Sequence, residues 1–181
     1  MSNAMLGGGL ATGMFYTAPK GTALPATPGT TPGASWTLVG DVAENGITLT
    51  RPNGEIVRNW ALDPVRKVNT ENGKISVPII DTSKKVLETL YGDNNVTYVA
   101  ATNSHGNITS VTLSPDVSAE PAAYLFLMKD GDRLSMIGTT NGLITNIDDT
   151  NFTGKDLVTR TAQIEGTWTK AYDDGQVASS S

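Results

Sequence analysis

The 181-residue sequence predicts a mainly β fold with one short helix. Two observations predict the strands. Apolar residues alternate with polar ones at Ile47 and Leu49 and again at Ile75, Val77 and Ile79, the period of a half-buried strand. The run Tyr124 to Met128 leads through Lys129-Asp130-Gly131-Asp132 into Arg133 to Ile137, a hairpin signature in which Asp-Gly supplies positive φ at little steric cost. A third observation predicts the helix: Thr82 to Tyr91 spaces Val86, Leu87 and Leu90 along one helical face, with Gly92 directly after it as a C-terminal cap.

Taken in chain order, Ser2-Asn3-Ala4 ahead of a second methionine resembles the remnant of an expression-vector cleavage site, so residues 1–4 are set apart. Residues 5–34 are Gly, Ala, Thr and Pro around one charge, Lys20, which predicts a flexible extended arm. Gly7-Gly8-Gly9 lies in this arm, and with no Gly-Lys-Ser/Thr after it, it reads as linker and not as a phosphate loop. The composition shifts near Ser35. A single domain is expected over residues 35–172, followed by a polar tail, 173–181. Within the domain Pro78 cannot donate to a ladder, which places its strand at an edge or at a bulge. Tyr124 to Met128 is apolar on both sides and suits a central strand covered on both faces. Asn141-Gly142 is expected to mark the next turn. Val158 to Thr169 puts Val158, Ala162, Ile164 and Trp168 on one face, broken by Arg160.

Composition excludes several kinds of chemistry. With no cysteine there is no disulfide, thiolate zinc site or cysteine nucleophile. Eighteen acidic against thirteen basic residues give a net charge of −5, opposite to the footprint of tight nucleic-acid binding. Ala122 to Met128 is too short to span a bilayer, and no secretion signal is evident. The Asn-x-Thr sequons at Asn95, Asn107 and Asn151 therefore read as Thr-rich strands and turns, not as glycosylation sites.

The remaining titratable residues offer little catalytic equipment. His105, the single histidine, sits among turn formers, Asn103 to Asn107, and no Gly-x-Ser-x-Gly elbow is present. Asp130-Gly131-Asp132 and Asp148-Asp149 could hold a hard cation, but neither has EF-hand spacing and both are explained as turns. Glu88 and Glu165 are more simply polar-face residues than a hydrolytic pair. No catalytic residue, metal or cofactor is expected. Trp60 differs, because it stands in a connection with Arg51, Arg58 and Arg66, between Pro52-Asn53-Gly54 and Pro64. It either folds back on its own domain or waits for a partner, as interface tryptophans do.

The order of features carries a resemblance. Ala18-Pro19-Lys20-Gly21-Thr22-Ala23-Leu24-Pro25 is followed by Trp36-Thr37-Leu38-Val39-Gly40-Asp41-Val42 and Glu44-Asn45-Gly46-Ile47, then by Val57-Arg58-Asn59-Trp60, Pro64-Val65-Arg66 and Lys85 to Gly92. In this order the chain resembles the major tail tube proteins of long-tailed, non-contractile bacteriophages, especially those of actinobacterial hosts, most closely over residues 18–95. The resemblance implies a β-sandwich closing into a barrel with one flanking helix. It also implies self-assembly into stacked hexameric rings, in a virion tail built in the host cytoplasm. The expected partners are copies of itself, the tape measure and the tail terminator, with DNA passing through unbound and no membrane involved. In that family a long hairpin loop reaches the neighbouring ring, which makes Arg51, Arg58, Trp60 and Arg66 the expected subunit-contact residues. The competing reading is a carbohydrate- or protein-binding β-sandwich of a virion or bacterial surface.

Overall fold

The computed structural model describes residues 12–42, 47–50, 73–79, 83–113, 120–130, 132–148 and 160–174. They form ten strands and one α-helix: β1 (Thr12–Pro19), β2 (Thr37–Asp41), β3 (Thr48–Thr50), β4 (Gly73–Ile79), α1 (Lys84–Tyr91), β5 (Val96–Val99), β6 (Ile108–Val111), β7 (Ala122–Asp130), β8 (Arg133–Ile147), β9 (Arg160–Gly166) and β10 (Thr169–Asp173). The fold is mainly β, as expected. Eight strands make one antiparallel sheet in the order β2-β1-β7-β8-β9-β4-β3, with β10 added to β8, while β5 and β6 pair separately. Val42, just past β2, bridges to Ile79 at the end of β4, so the sheet rolls up until its two sides meet.

Alternation decides what lies inside the roll. Phe15, Val39, Ile75, Val77, Ile79, Phe126, Ile137 and Ile164 all point inward and are buried. Phe15 stacks on Phe126 with ring centroids 4.7 Å apart, and Trp168 closes on Phe126 at 6.1 Å while donating its indole N–H to the Gly73 carbonyl at 2.9 Å. The helix forms where the spacing predicts. Ser83 caps its start by accepting from the Val86 amide, and Gly92, at φ +83°, returns its N–H to the Glu88 carbonyl at 2.8 Å. Lys84 and Lys85 sit in its first turn, where the helix dipole disfavours cations. Packing therefore holds the helix: burial of Val86, Leu87 and Leu90 contributes about 1.5–3 kcal/mol each.

Several expectations change. Residues 12–19 are not part of a free arm: β1 pairs with both β2 and β7, and Phe15 is fully buried. The rest of the supposed arm, 20–34, together with Ser35 and Trp36 runs as a strap, 20–36, across the outside of β1, β7 and β8. Gly21 donates to the Thr140 carbonyl at 2.7 Å, and Trp36 and Leu24 join a second apolar cluster with Ala18, Ala123, Leu125, Met136 and Ala171. This strap is anchored by two apolar side chains and backbone bonds, a pattern with no sequence period.

Asn141-Gly142 is not a turn but the middle of the fifteen-residue β8. Glycine is needed there for space, because a Cβ would stand 2.7 Å from Tyr124 Cδ2 and 2.8 Å from Thr139 Cγ2. The run from 158 to 169 is interrupted at Thr167 and Trp168: β9 lies between β4 and β8, and past the interruption β10 continues along β8 from Gly138 to Leu134. Pro78's strand is not an edge strand, since β9 and β3 flank β4, but Pro78 itself lies beyond Lys74 to Ser76, the residues that β3 pairs with. The Gly7 run, Val158 and residues 1–4 lie outside the described residues.

Candidate assembly interface

Arg51, Arg58, Trp60 and Arg66, the expected contact residues, lie outside the described residues. Their flanks are described. Thr50, the last residue of β3, pairs with Lys74 near the start of β4, so the connection from 51 to 72 leaves and re-enters the sheet at adjacent positions of one hairpin.

The described surface shows a second feature that sequence reasoning passed over. Tyr98, Val99, Ile108 and Leu113 are all exposed, Leu113 to 78 %. They belong to the β5–β6 hairpin and its exit, with Val99 directly opposite Ile108. A two-stranded hairpin is marginal alone, and this one is braced on α1, where Lys84 Nζ lies 5.5 Å from the Tyr98 ring centre. The signal was present in Val96-Thr97-Tyr98-Val99 and Ile108-Thr109-Ser110-Val111 on either side of the His105 turn. Other exposed apolar residues include Leu143 on β8, and Leu38 on β2 and Tyr172 on β10, the latter two on strands that each pair with only one neighbour over most of their length.

The candidates for chemistry are dispersed. His105 sits in the β5–β6 turn, its Nδ1 2.7 Å from the Gly106 carbonyl oxygen. Glu88 pairs with Lys84 at 3.2 Å and Glu165 with Lys74 at 2.9 Å, each on a different element. Asp148 accepts from Asn146 Nδ2 at 3.0 Å. Among the described residues no three acidic or histidine side chains converge as a metal site, and no helix is long and apolar enough to cross a membrane. A groove of about 590 Å³ opens in the strap, lined by Leu24, Pro25, Thr30 and Trp36 among others. Trp36 is buried to 9 % exposure with its N–H on the Ala23 carbonyl, so it offers no flat aromatic platform for a sugar. Arg160, whose Nη1 is buried without a hydrogen-bond partner, points inward on β9 with Ala162 and Ile164. Burial pushes the Tyr124 phenol from 10.0 up to about 12.

A rolled antiparallel sheet with a braced hairpin that exposes apolar side chains defines the class as a β-barrel-like protein with open apolar surface. The profile of a family described as phage tail tube protein matches residues 6–170, and the chain belongs to that family. No curated protein matches it. Family membership makes it a structural component of the virion and not an enzyme, one that associates with copies of itself and with other tail proteins.

Proposed function

We propose that this chain assembles into hexameric rings that stack into the tube of a long, non-contractile phage tail, the channel through which the genome enters the host. The family match over residues 6–170 carries this reading. The surface supports it: the apolar hairpin at Tyr98, Val99 and Ile108 and the exposed Leu38 and Tyr172 lie on different elements. Two dissimilar patches make a head-to-tail contact that closes into rings or extends into filaments, whereas one patch contacting itself gives only a dimer.

In this reading the connection bearing Arg51, Arg58, Trp60 and Arg66 joins successive rings, the tape measure fills the tube during assembly in the host cytoplasm, and the terminator caps it. A tryptophan buried at such a contact is worth about 2 kcal/mol or more, repeated around every ring. Electron microscopy of concentrated protein is expected to show rings or tubes. Trp60→Ala is expected to abolish tubes while leaving the melting temperature of the subunit near normal. A variant that melts early yet still forms tubes would mean that Trp60 plugs its own barrel.

A further inference from the structure

Two solvent-facing stretches of the chain are free of charge. Residues 21–40, which include the strap, and residues 94–113, which hold the β5–β6 hairpin, contain no Asp, Glu, Lys or Arg, although 17 % of the chain is charged. Most residues of both stretches are exposed. A surface that stays in water ordinarily carries charge, whereas the centre of a protein interface is depleted in it. The two stretches also have opposite shapes. On the hairpin, Val96, Tyr98, Thr109 and Val111 share the side braced on α1, and Val99 and Ile108 sit opposite each other on the other side, exposed, with Thr97 and Ser110 beside them. The strap instead holds the groove of about 590 Å³, with Leu24, Pro25 and Trp36 as apolar lining and the hydroxyls of Thr22, Thr31 and Ser35 around them. That volume takes several side chains.

We propose that the Val99–Ile108 pair of one copy docks into the strap groove of the next. The inference rests on the tube reading and adds to it which two surfaces meet. A second copy is the occupant because the family associates with copies of itself, and because each chain carries both halves of an uncharged pair that it does not join within itself. In the single chain the groove is open while Val99 and Ile108 are exposed, so a chain's own hairpin does not fill its own groove. Docked, the two aliphatic side chains cover Leu24 and Trp36, and Thr97 and Ser110 meet the hydroxyls at the rim, an apolar centre within a polar border. Both surfaces are held before they meet: α1 backs the hairpin, and Leu24 and Trp36 pin the strap to the sheet, so little ordering is left to oppose binding. Knob and groove are unlike, which makes the contact head-to-tail, each copy giving its knob to one neighbour and its groove to another.

Ile108→Asp puts a carboxylate on the exposed side of the hairpin, away from the core. The subunit is expected to keep its melting temperature, while the concentration needed for assembly, followed by sedimentation velocity, rises by about tenfold or more. Adding Thr31→Lys to the same chain sets an opposite charge at the groove and is expected to recover most of that loss. Normal assembly of Ile108→Asp would overturn the inference. The cysteine-free sequence lets the contact be read directly as well. A short bis-maleimide is expected to join Ile108→Cys chains to Thr31→Cys chains when the two are mixed before assembly, and to join neither variant to itself. Ile108→Cys linked to itself, or to Leu38→Cys in place of Thr31→Cys, would overturn the inference equally. Failure of the unsubstituted chain to assemble would remove the tube reading and this contact with it, whereas tubes that form without the 108–31 link would remove the contact alone.

Discussion

The two halves of the barrel's outer surface use similar strands to reach opposite ends. On the β3–β4–β9 half apolar and polar residues alternate: Ile75 and Val77 face in while Lys74 and Ser76 face out, and water completes the structure. On the β7 half there is no alternation, because Tyr124 and Phe126 fill the interior while Ala123 and Leu125 are equally buried on the outside. A strand that is apolar on both faces requires a second layer. Here that layer is not another sheet but the irregular strap 20–36, fixed by Leu24 and Trp36. The lesson is that a Gly/Thr/Pro-rich segment can serve as a structural layer when the surface beneath it is apolar and a few side chains reach down. Gly138 marks the fit: a Cβ there would lie 2.6 Å from Leu24 Cδ2.

The comparison breaks most sharply under truncation. Leu125→Ala, beneath the strap, is expected to cost about 2–5 kcal/mol, the range for an apolar side chain deleted from a closed core. Gln163→Ala, on the wetted half, should stay within about 0.5 kcal/mol. Urea midpoints of the two variants measure the difference, and equal shifts would mean that the strap does not seal its face. Trp36→Ala tests the strap itself. It is expected to lose about 3 kcal/mol and to open residues 20–36 to limited proteolysis, since the indole is both packed and bonded to the Ala23 carbonyl.

Alkaline pH probes the interior shared by both halves. Burial raises the Tyr124 phenol from 10.0 to about 12, so the folded state holds this proton more tightly than the unfolded chain does. The associated stability is fully present below pH 10 and is lost as pH rises toward 12, about 3 kcal/mol in all. Tyr124→Phe should flatten that part of the pH profile relative to the unsubstituted protein, as followed by chemical denaturation at each pH. A small effect belongs to the Lys74–Glu165 pair, with side chains 52 % and 29 % exposed. Glu165→Gln is expected to change stability by less than about 1 kcal/mol, with the difference shrinking further in high salt. A larger loss would show that this pair organises the wetted face and does not merely neutralise it.

Much of the fold is legible in the residues. Val86, Leu87 and Leu90 with Gly92 define the helix, because its period and its cap are both local. Asp130 to Arg133 defines the β7–β8 hairpin for the same reason. The course of β8 through Asn141-Gly142 is not legible, since those residues are good turn formers and are overruled by a contact with Tyr124, distant in sequence. The exposed hairpin at Tyr98 and Ile108 lay between the lines: its alternation is visible, but alternation alone does not tell whether the apolar side meets a core or stays open.

By itself the sequence determined the class of the protein. A period of two gives a mainly β protein and the order of its motifs gives the resemblance to tail tube proteins, because these properties belong to each residue and its immediate neighbours. The tertiary structure decided what β1 and the strap do, where β9 ends and β10 continues along β8, and which half of the surface stays wet. Those outcomes depend on pairings between distant segments, such as Phe15 with Phe126 and Gly21 with Thr140, whose free energy comes from surfaces that exist only once the sheet has rolled.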